Sequence, residues 1–565
     1  MVSAFDLVLG PGAIPASAAL RRQLSSDSPA LSRCSTPLQL SSPSPLLRLP
    51  PEIIELIAVD LDELADLVAL ASTCRDLCAL IRPHHIGWYR ICCGLDEATL
   101  WSHLADHPRL ASNVRCLVLD SRRPPHIPDG LQNAAVSRPS SSRGLTAEKK
   151  NEELLIAAVE RMVNLRKLVF RIRPPLSGDD FWSRLWRACP RLEDVECADS
   201  CGRTGTSSDE RQSIHGSTFF ECSGLKRLVW CSSYVPSDPA SIIAELGALE
   251  TSLVQRCPDL EELRIQYTDV RVRNAIYGGT LMAHAHWPKL RVLELSRFHA
   301  GDEEAVAAFF ERHPQLEVLK VDQVDATTGR YIYLDNISDH ALPRLHTFWG
   351  GIDNAISVLS SPLRPIRRIR GVQFDTVMLG ARRLANWTST PQGQCLLEGL
   401  AQAQHLEEVD GEFAVVVSDK LDLIRLFEAC KRIRILRLRC NVAGFLETYL
   451  PAFAALQQLE VLQFPLHQLD ILQRPPASGS LSLRYHGSSD TFVATLKQKA
   501  RLVAAVCPKL SKIDFGASGG MAKVIRYDNS PEVSEIVLAD GEEGAEDVDR
   551  ELELTRMAAA RIHGG

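Results

Sequence analysis

At 565 residues the chain is too long for one hydrophobic core, so a modular or repetitive architecture is expected. Its 45% hydrophobic and 24% charged composition excludes collagen-like or wholly disordered classes. A net charge of −7 argues against a protein built to coat nucleic acid or an anionic membrane, and no apolar run reaches the roughly 20 residues that span a bilayer.

In chain order, the first 20 residues lack a basic start followed by an apolar block, so no secretory signal is read. The 16 cysteines show no small-scaffold spacing and are expected to be free thiols in a reducing compartment, cytoplasmic or nuclear. Residues 1–45 are rich in Ser and Pro and read as a disordered tail, with Ser28, Thr36, Ser42 and Ser44 each before a proline. At Leu46 the character changes. Pro51 suits a first helical position, Glu52 suits a helix start, and Ile53, Ile54, Ile57 and Leu61 share a face. Leu67, Leu70, Ala71, Cys74, Leu77, Cys78 and Ile81 recur at helical steps; Asp62 or Asp66 is a candidate cap and Pro83 a stop. Ile86, Trp88, Tyr89 and Ile91 form a third apolar cluster. These short helices need something to pack against.

The main signal is an internal repeat, Cys/His-Pro-x-Leu-x-x-Leu-x-Leu. It reads CPRLEDVEC at Cys189, CPDLEELRI at Cys257, WPKLRVLEL at Trp287, HPQLEVLKV at His313, LPRLHTFWG at Leu342 and CPKLSKIDF at Cys507, with looser copies between. The leading apolar positions are Val114, Leu165, Leu192, Leu225, Leu260, Leu290, Leu316, Leu345, Leu406, Ile433, Leu459 and Leu510. Most steps are 26 to 35 residues, and three of 51, 61 and 51 suggest insertions or degenerate units near 121–150, 366 and 482. The last two leucines alternate as a short strand. Helical stretches such as 302–313, with Ala305, Phe309 and Phe310 inward, and 421–430 lie between copies. The fold class is therefore an α/β solenoid, a leucine-rich-repeat horseshoe with a parallel sheet on its concave side, preceded by a small all-α unit. The divisions read from the sequence are 1–45 tail, 46–95 helical unit, 96–520 repeats and 521–565 acidic tail or cap.

The two features together resemble the F-box family with C-terminal leucine-rich repeats. Leu49-Pro50-Pro51-Glu52, the Ile53/Ile54/Ile57 face, the leucine helix with Ser-Thr-Cys-Arg and Trp88 carry the F-box part. The asparagine or cysteine step after each strand, found in the most regular repeats, is mostly missing. The resemblance implies docking on a Skp-type adaptor of a cullin-based SCF ubiquitin ligase through Leu49, Pro50, Ile53, Ile54, Leu67, Leu70, Cys74 and Leu77. The repeats would then hold a target protein for proteasomal degradation. Read from the residues alone, an amphipathic helix pair either meets a partner groove or caps the first repeat.

No phosphate loop, nucleophile elbow or HExxH helix appears, so no enzymatic activity and no cofactor or metal is expected. Cys74 and Cys78, followed by His84 and His85, lack the paired clusters of zinc sites and read as buried thiols on a helix face, and Cys92, Cys93, Cys197 and Cys201 are read the same way. Cys189, Cys257 and Cys507 share a repeat slot and read as core residues. The basic loop with Arg122, Arg123, Arg138, Arg143, Lys149 and Lys150 lacks interleaved aromatics, so no nucleic acid is expected. Asn386-Trp387-Thr388 reads as a chance sequon. Target contacts are expected from strand positions between the leucines: Arg264, Gln266, Glu294, Ser296, Lys320, Asp322, Arg437 and Arg439. The alternative is a repeat scaffold unconnected to ubiquitin.

Overall fold

The computed structural model describes residues 45–120, 145–172, 180–199, 218–232, 239–267, 276–296, 298–300, 302–321, 332–373, 378–379, 382–383, 387–413, 420–440, 445–464, 489–515, 521–525 and 535–539. The Ser-Pro sites, Arg122, Arg123, Arg138, Arg143, Cys201, Asp322, Asn386 and the acidic segment after Asp540 lie outside them.

Two compact units are present, one ending at Asp60 and one beginning at Leu61. In the first, a turn at Pro45–Arg48 precedes helix α1, Pro51–Asp60, which opens on proline with Glu52 in its first turn. Ile54 and Ala58 are buried, whereas Leu49, Ile53 and Leu56 are 37%, 41% and 60% exposed.

The second unit opens with α2, Leu64–Ser72, and α3, Arg75–Ile81. The single helix expected over these residues is broken at Thr73–Cys74. Ser72 Oγ donates to Val68 O and Thr73 Oγ1 to Leu70 O, local bonds that close α2. Cys74 is extended and caps α3, its sulfur accepting from Leu77 N. Neither Asp62 nor Asp66 caps α2: its N-cap residue is Glu63, without a side-chain bond. Pro83 does not stop the chain either. It enters a π turn, Arg82–Ile86, at an N-terminal position where its missing N–H costs nothing.

Sixteen strands then form one sheet in sequence order. They are β1 Arg90–Cys93, β2 Cys116–Asp120, β3 Lys167–Arg171, β4 Asp194–Asp199, β5 Arg227–Ser232 and β6 Glu262–Tyr267. Next come β7 Val292–Leu295, β8 Val318–Val321, β9 Thr347–Trp349, β10 Arg368–Gln373 and β11 Glu408–Phe413. The last are β12 Ile435–Cys440, β13 Val461–Gln463, β14 Lys512–Asp514, β15 Met521–Ile525 and β16 Glu535–Ala539. Pairing is parallel from β1 to β14, and β15 and β16 close the sheet antiparallel. Helices such as Glu303–Arg312, capped by Asp302, and Pro391–Gln402, capped by Thr390, join successive strands. Most repeats are one strand and one helical return, although the described residues between β8 and β9 form no helix, and stacking gives a single continuous core. The fold is a leucine-rich-repeat solenoid.

The repeat phrase has a local cause. All twelve leading apolar positions named from the sequence are buried. In most copies the leading N–H donates to the carbonyl three residues back: Leu192 to Cys189, Leu260 to Cys257, Leu290 to Trp287, Leu316 to His313 and Leu510 to Cys507. The proline is therefore the second residue of a tight turn, where its fixed φ is suited. The turn's first side chain points into the core: Cys189, Cys257, Trp287, His313 and Cys507 are all buried.

The long steps have different causes. Between Leu345 and Leu406 a degenerate unit supplies β10, its leading position the buried Ile366. At the two 51-residue steps β2 pairs directly with β3 and β13 with β14, so the extra residues are insertions between neighbouring strands. A further unit precedes the predicted first one. Trp88, Ile91 and Cys93 repeat the Leu-x-x-Leu-x-Leu spacing and are buried, and β1 is an edge strand of the sheet.

The residue after each leading position forms a ladder along the strand-entry edge. Main-chain bonds link Arg166, Glu193, Lys226, Glu261, Arg291, Glu317, His346, Arg367, Glu407, Arg434 and Glu460 in that order. Their charges alternate, with one slip at His346–Arg367. Lys226 pairs with Glu193 at 2.6 Å, Arg291 with Glu317 at 2.8 Å and Arg434 with Glu460 at 2.8 Å.

Gly371 sits in β10 at φ +72°, where the register against β11 shifts. A Cβ there would collide with the Trp349 indole at its Nε1 edge. Gly371→Ala is expected to lower stability by about 2 kcal/mol or more through backbone strain plus displacement of the indole. Gly224→Ala, at φ +69° with nothing within 4 Å, should show only the strain, about 1 kcal/mol. Denaturant titrations of the two variants check the difference.

Candidate functional site

Strand alternation divides the sheet into two faces. In β6, Leu263 and Ile265 are buried in the core that the helices share, while Glu262, Arg264 and Gln266 project from the other face, helix-free among the described residues. Because strands pair in parallel register, side chains at equivalent positions stack in rows. One row runs Cys92, Val118, Val169, Glu196, Val229, Arg264, Glu294, Lys320, Trp349.

Five of the expected target contacts fall in one patch of this face. Arg264 pairs with Glu262 at 2.5 Å and Glu294 at 2.8 Å, Gln266 Nε2 donates to Glu294 at 2.7 Å, and Lys320 lies 3.8 Å from Glu294. Ser296 is buried at the end of β7. The network extends through residues that sequence reasoning passed over. Arg227 reaches Asp194 at 2.8 Å, Glu262 at 3.1 Å and Glu196 at 3.7 Å. Lys167 pairs with Asp194, and Arg171 with Glu196 and Asp120. The signal for them was available: they alternate with the buried leucines as the expected contacts do, Glu196 in the row of Arg264 and Glu294, Lys167, Asp194, Arg227 and Glu262 two residues before that row, and Asp120 and Arg171 two residues after it.

Arg437 and Arg439 belong to a second patch. Glu408, 2% exposed, takes Arg370 at 3.0 Å, Arg437 at 3.2 Å and Arg368 at 3.4 Å, while Arg439 lies 3.5 Å from the buried Asp410. Burial raises the Asp410 pKa against the pull of Arg439, Arg437 and Arg370. Trp349 separates the patches, with Lys320 Nζ 4.2 Å from its ring centroid. At the opposite end Cys92, Val118 and Val169 make a small apolar cluster.

The expected adaptor-facing residues differ in exposure. Leu49, Pro50 and Ile53 are exposed, Leu70 and Cys74 half-buried, and Ile54, Leu67 and Leu77 buried. Leu56, the most exposed large hydrophobic of α1, was not among them.

Among the described residues no group of three or more His, Cys, Asp or Glu is placed to hold a metal ion. No helix among them is long and apolar enough to cross a membrane. The described cysteines are free thiols, and burial pushes Cys189 and Cys430 up to about 12. Thr388 of the sequon is buried, its hydroxyl bonded to Asp422 and Arg425.

No family model and no curated protein matches the chain. Solved structures similar to it include an internalin from Listeria monocytogenes str. 4b F2365, 10% identical, covering 65% of this chain and 80% of that one with a TM-score of 0.30. Another is the complex of Rad7 and Elc1 in yeast, 15% identical, covering 68% of this chain and 87% of that one with a TM-score of 0.36.

Proposed function

We propose that the chain is a substrate-recognition subunit of an SCF-type E3 ubiquitin ligase. Residues 46–92 would dock on a Skp-type adaptor of the cullin core, and the helix-free face would hold a target protein. The observation that carries the docking half is the cluster on and beside α1. Leu49, Ile53 and Leu56 lie within eight residues and are all exposed, whereas the other exposed large hydrophobics among the described residues, Val163, Leu363, Leu421, Leu502 and Val537, are scattered singly. Grouped apolar exposure on a helix marks a partner surface; single exposed residues do not. In this reading the chain performs no chemistry, needs no cofactor, and accelerates ubiquitin transfer by effective concentration. Unpaired thiols suit a cytoplasmic or nuclear setting.

A second reading is a repeat scaffold without a ligase. It draws support from α2 and α3, which share a compact unit with the sheet. Asn113 Nδ2 donates to His84 O at 2.9 Å and Arg166 pairs with Asp62 at 2.5 Å, contacts that would suit residues 61–89 as an end cap.

Pull-down with a Skp-type adaptor separates the two. The intact chain should bind, and Leu49→Ala/Pro50→Ala or Leu56→Glu should lose at least about 10-fold in affinity, the scale of a central apolar anchor. Absence of binding by the folded intact chain leaves the scaffold reading.

A further inference from the structure

Charge is unevenly shared along the helix-free face. From β2 to β8 the carboxylates of Asp120, Asp194, Glu196, Glu262 and Glu294 are matched one for one by the cations described above. On β10–β12 four arginines surround Glu408 and Asp410. Even counting Glu412, which stands opposite Arg439 in backbone register, the arginines remain in excess.

Layering sharpens the imbalance. The side chains of Glu408 and Asp410 lie at the base, 2% and 8% exposed, while those of Arg368 and Arg439 reach 49% and 34%. Solvent therefore meets guanidinium groups. Each guanidinium carries about five N–H donors and each carboxylate accepts about four bonds, so two carboxylates cannot satisfy four arginines. The fit is also imperfect: Arg437 Nε, though 3.2 Å from Glu408 Oε1, and Asp410 Oδ1 make no hydrogen bond. What is left is a set of planar forks aimed at solvent and shaped for carboxylates.

We infer that β10–β12 bind an extended acidic segment of a partner protein, a run of Asp and Glu side chains taken by Arg368, Arg437 and Arg439, with Trp349 at its border. The inference rests on the helix-free face being the target surface, and not on the ligase. Charge complementarity selects the occupant. A nucleic acid fits less well, because the whole chain carries −7 and the patch is only three strands wide, about 10 Å, with one aromatic to stack on.

The test uses the full chain and a fluorescein-labelled peptide of eight glutamates, followed by fluorescence anisotropy in 50 and 300 mM salt. Saturable binding is expected, weakened at least ~10-fold by the higher salt. The Arg368→Gln/Arg439→Gln variant, which leaves Arg370 and Arg437 on Glu408, should bind at least ~10-fold more weakly, and Arg264→Gln in the balanced patch less than ~3-fold more weakly. Unchanged melting of the double variant shows that the fold is intact. No saturable binding by the intact chain, or equal binding by the double variant, overturns the inference. So does tighter capture of a single-stranded oligonucleotide by the same arginines. Loss of adaptor binding with peptide binding retained removes only the ligase reading, and the reverse removes only this one.

Discussion

Replacing Arg364 by methionine is expected to destabilise the protein by about 2–4 kcal/mol, the cost of leaving buried main-chain acceptors without their donor. Arg364 is buried, and its guanidinium is spent on main-chain carbonyls: Ala341 at 3.1 Å, Ser338 at 2.8 Å, Ser357 at 2.8 Å and Val358 at 3.1 Å. Two of these belong to the last turn of the helix Ile352–Leu359, whose carbonyls have no partner within the helix. The other two belong to the irregular stretch before β9, where no helix supplies hydrogen bonds. A single cation thus closes one helix and fixes the coil beside it, with the helix dipole in its favour. Methionine keeps the stem and takes a donor from four acceptors; Ser338 O and Ser357 O keep Ala341 N and Ser360 Oγ, while Ala341 O and Val358 O lose theirs. Because a solenoid opens locally, hydrogen exchange is the sharper readout. Amides between 332 and 361 should exchange much faster in the variant, and those around β4 and β5 should not. Arg367→Gln, at an exposed position three residues on, should change stability by less than about 0.5 kcal/mol. Equal effects of the two substitutions would refute the role given to Arg364.

The second large effect concerns pH. His313 fills the core slot that other repeats give to cysteine, and both ring nitrogens are engaged. Trp287 N donates to Nε2 at 3.0 Å, and Nδ1 lies 2.6 Å from Phe309 O, which fixes the neutral tautomer with its proton on Nδ1. Burial lowers its pKa from 6.5 to about 4. The folded value lies below the unfolded one, so the neutral form supports folding. The contribution is whole above pH 6.5 and is lost as pH falls from there to about 4. At 1.36 kcal/mol per pH unit the span comes to about 3 kcal/mol. His85, also buried and lowered to about 4, adds in the same direction. Cysteine is the proper replacement. In the same slot Cys189 Sγ donates to Met162 O and Cys507 Sγ to Phe453 O, each at 3.4 Å. His313→Cys is expected to lose about 3 kcal/mol less than the native chain when urea unfolding is measured at pH 7.5 and again at pH 4. Parallel loss in both proteins would show that His313 is not the titrating group.

How much of this was legible beforehand varies with the physics of each feature. The repeat was plain because a buried leucine at a fixed step has no alternative in a stacked core, and every leading position read from the sequence is inside. The first unit was missed because tryptophan and cysteine stand where leucines are expected, though Trp88, Ile91 and Cys93 keep the spacing. The unit of Ile366 was legible only as a degenerate unit or insertion near 366, because its strand lacks the usual proline phrase. The break at Cys74 could not be read from apolar periodicity, which runs straight through it; hydroxyl groups bonding back to helix carbonyls made the difference. On the binding face, alternation told which residues point outward but not how they combine. Arg227 and Glu408 organise the two networks through neighbours about 30 residues away in sequence, a distance that local reading does not cross. Nor could spacing foretell that Leu67 and Leu77 would be buried while Leu56 stands exposed.

The alternating ladder at the strand-entry edge gives the array a parity. Excising one interior unit, for example the one led by Leu260, would bring Lys226 against Arg291, and duplicating one would set equal signs side by side. Excising two neighbours restores opposition. Such an array is expected to lengthen and shorten in pairs, with odd changes admitted at the His346–Arg367 slip, where the rhythm is already broken and one member can shed its charge.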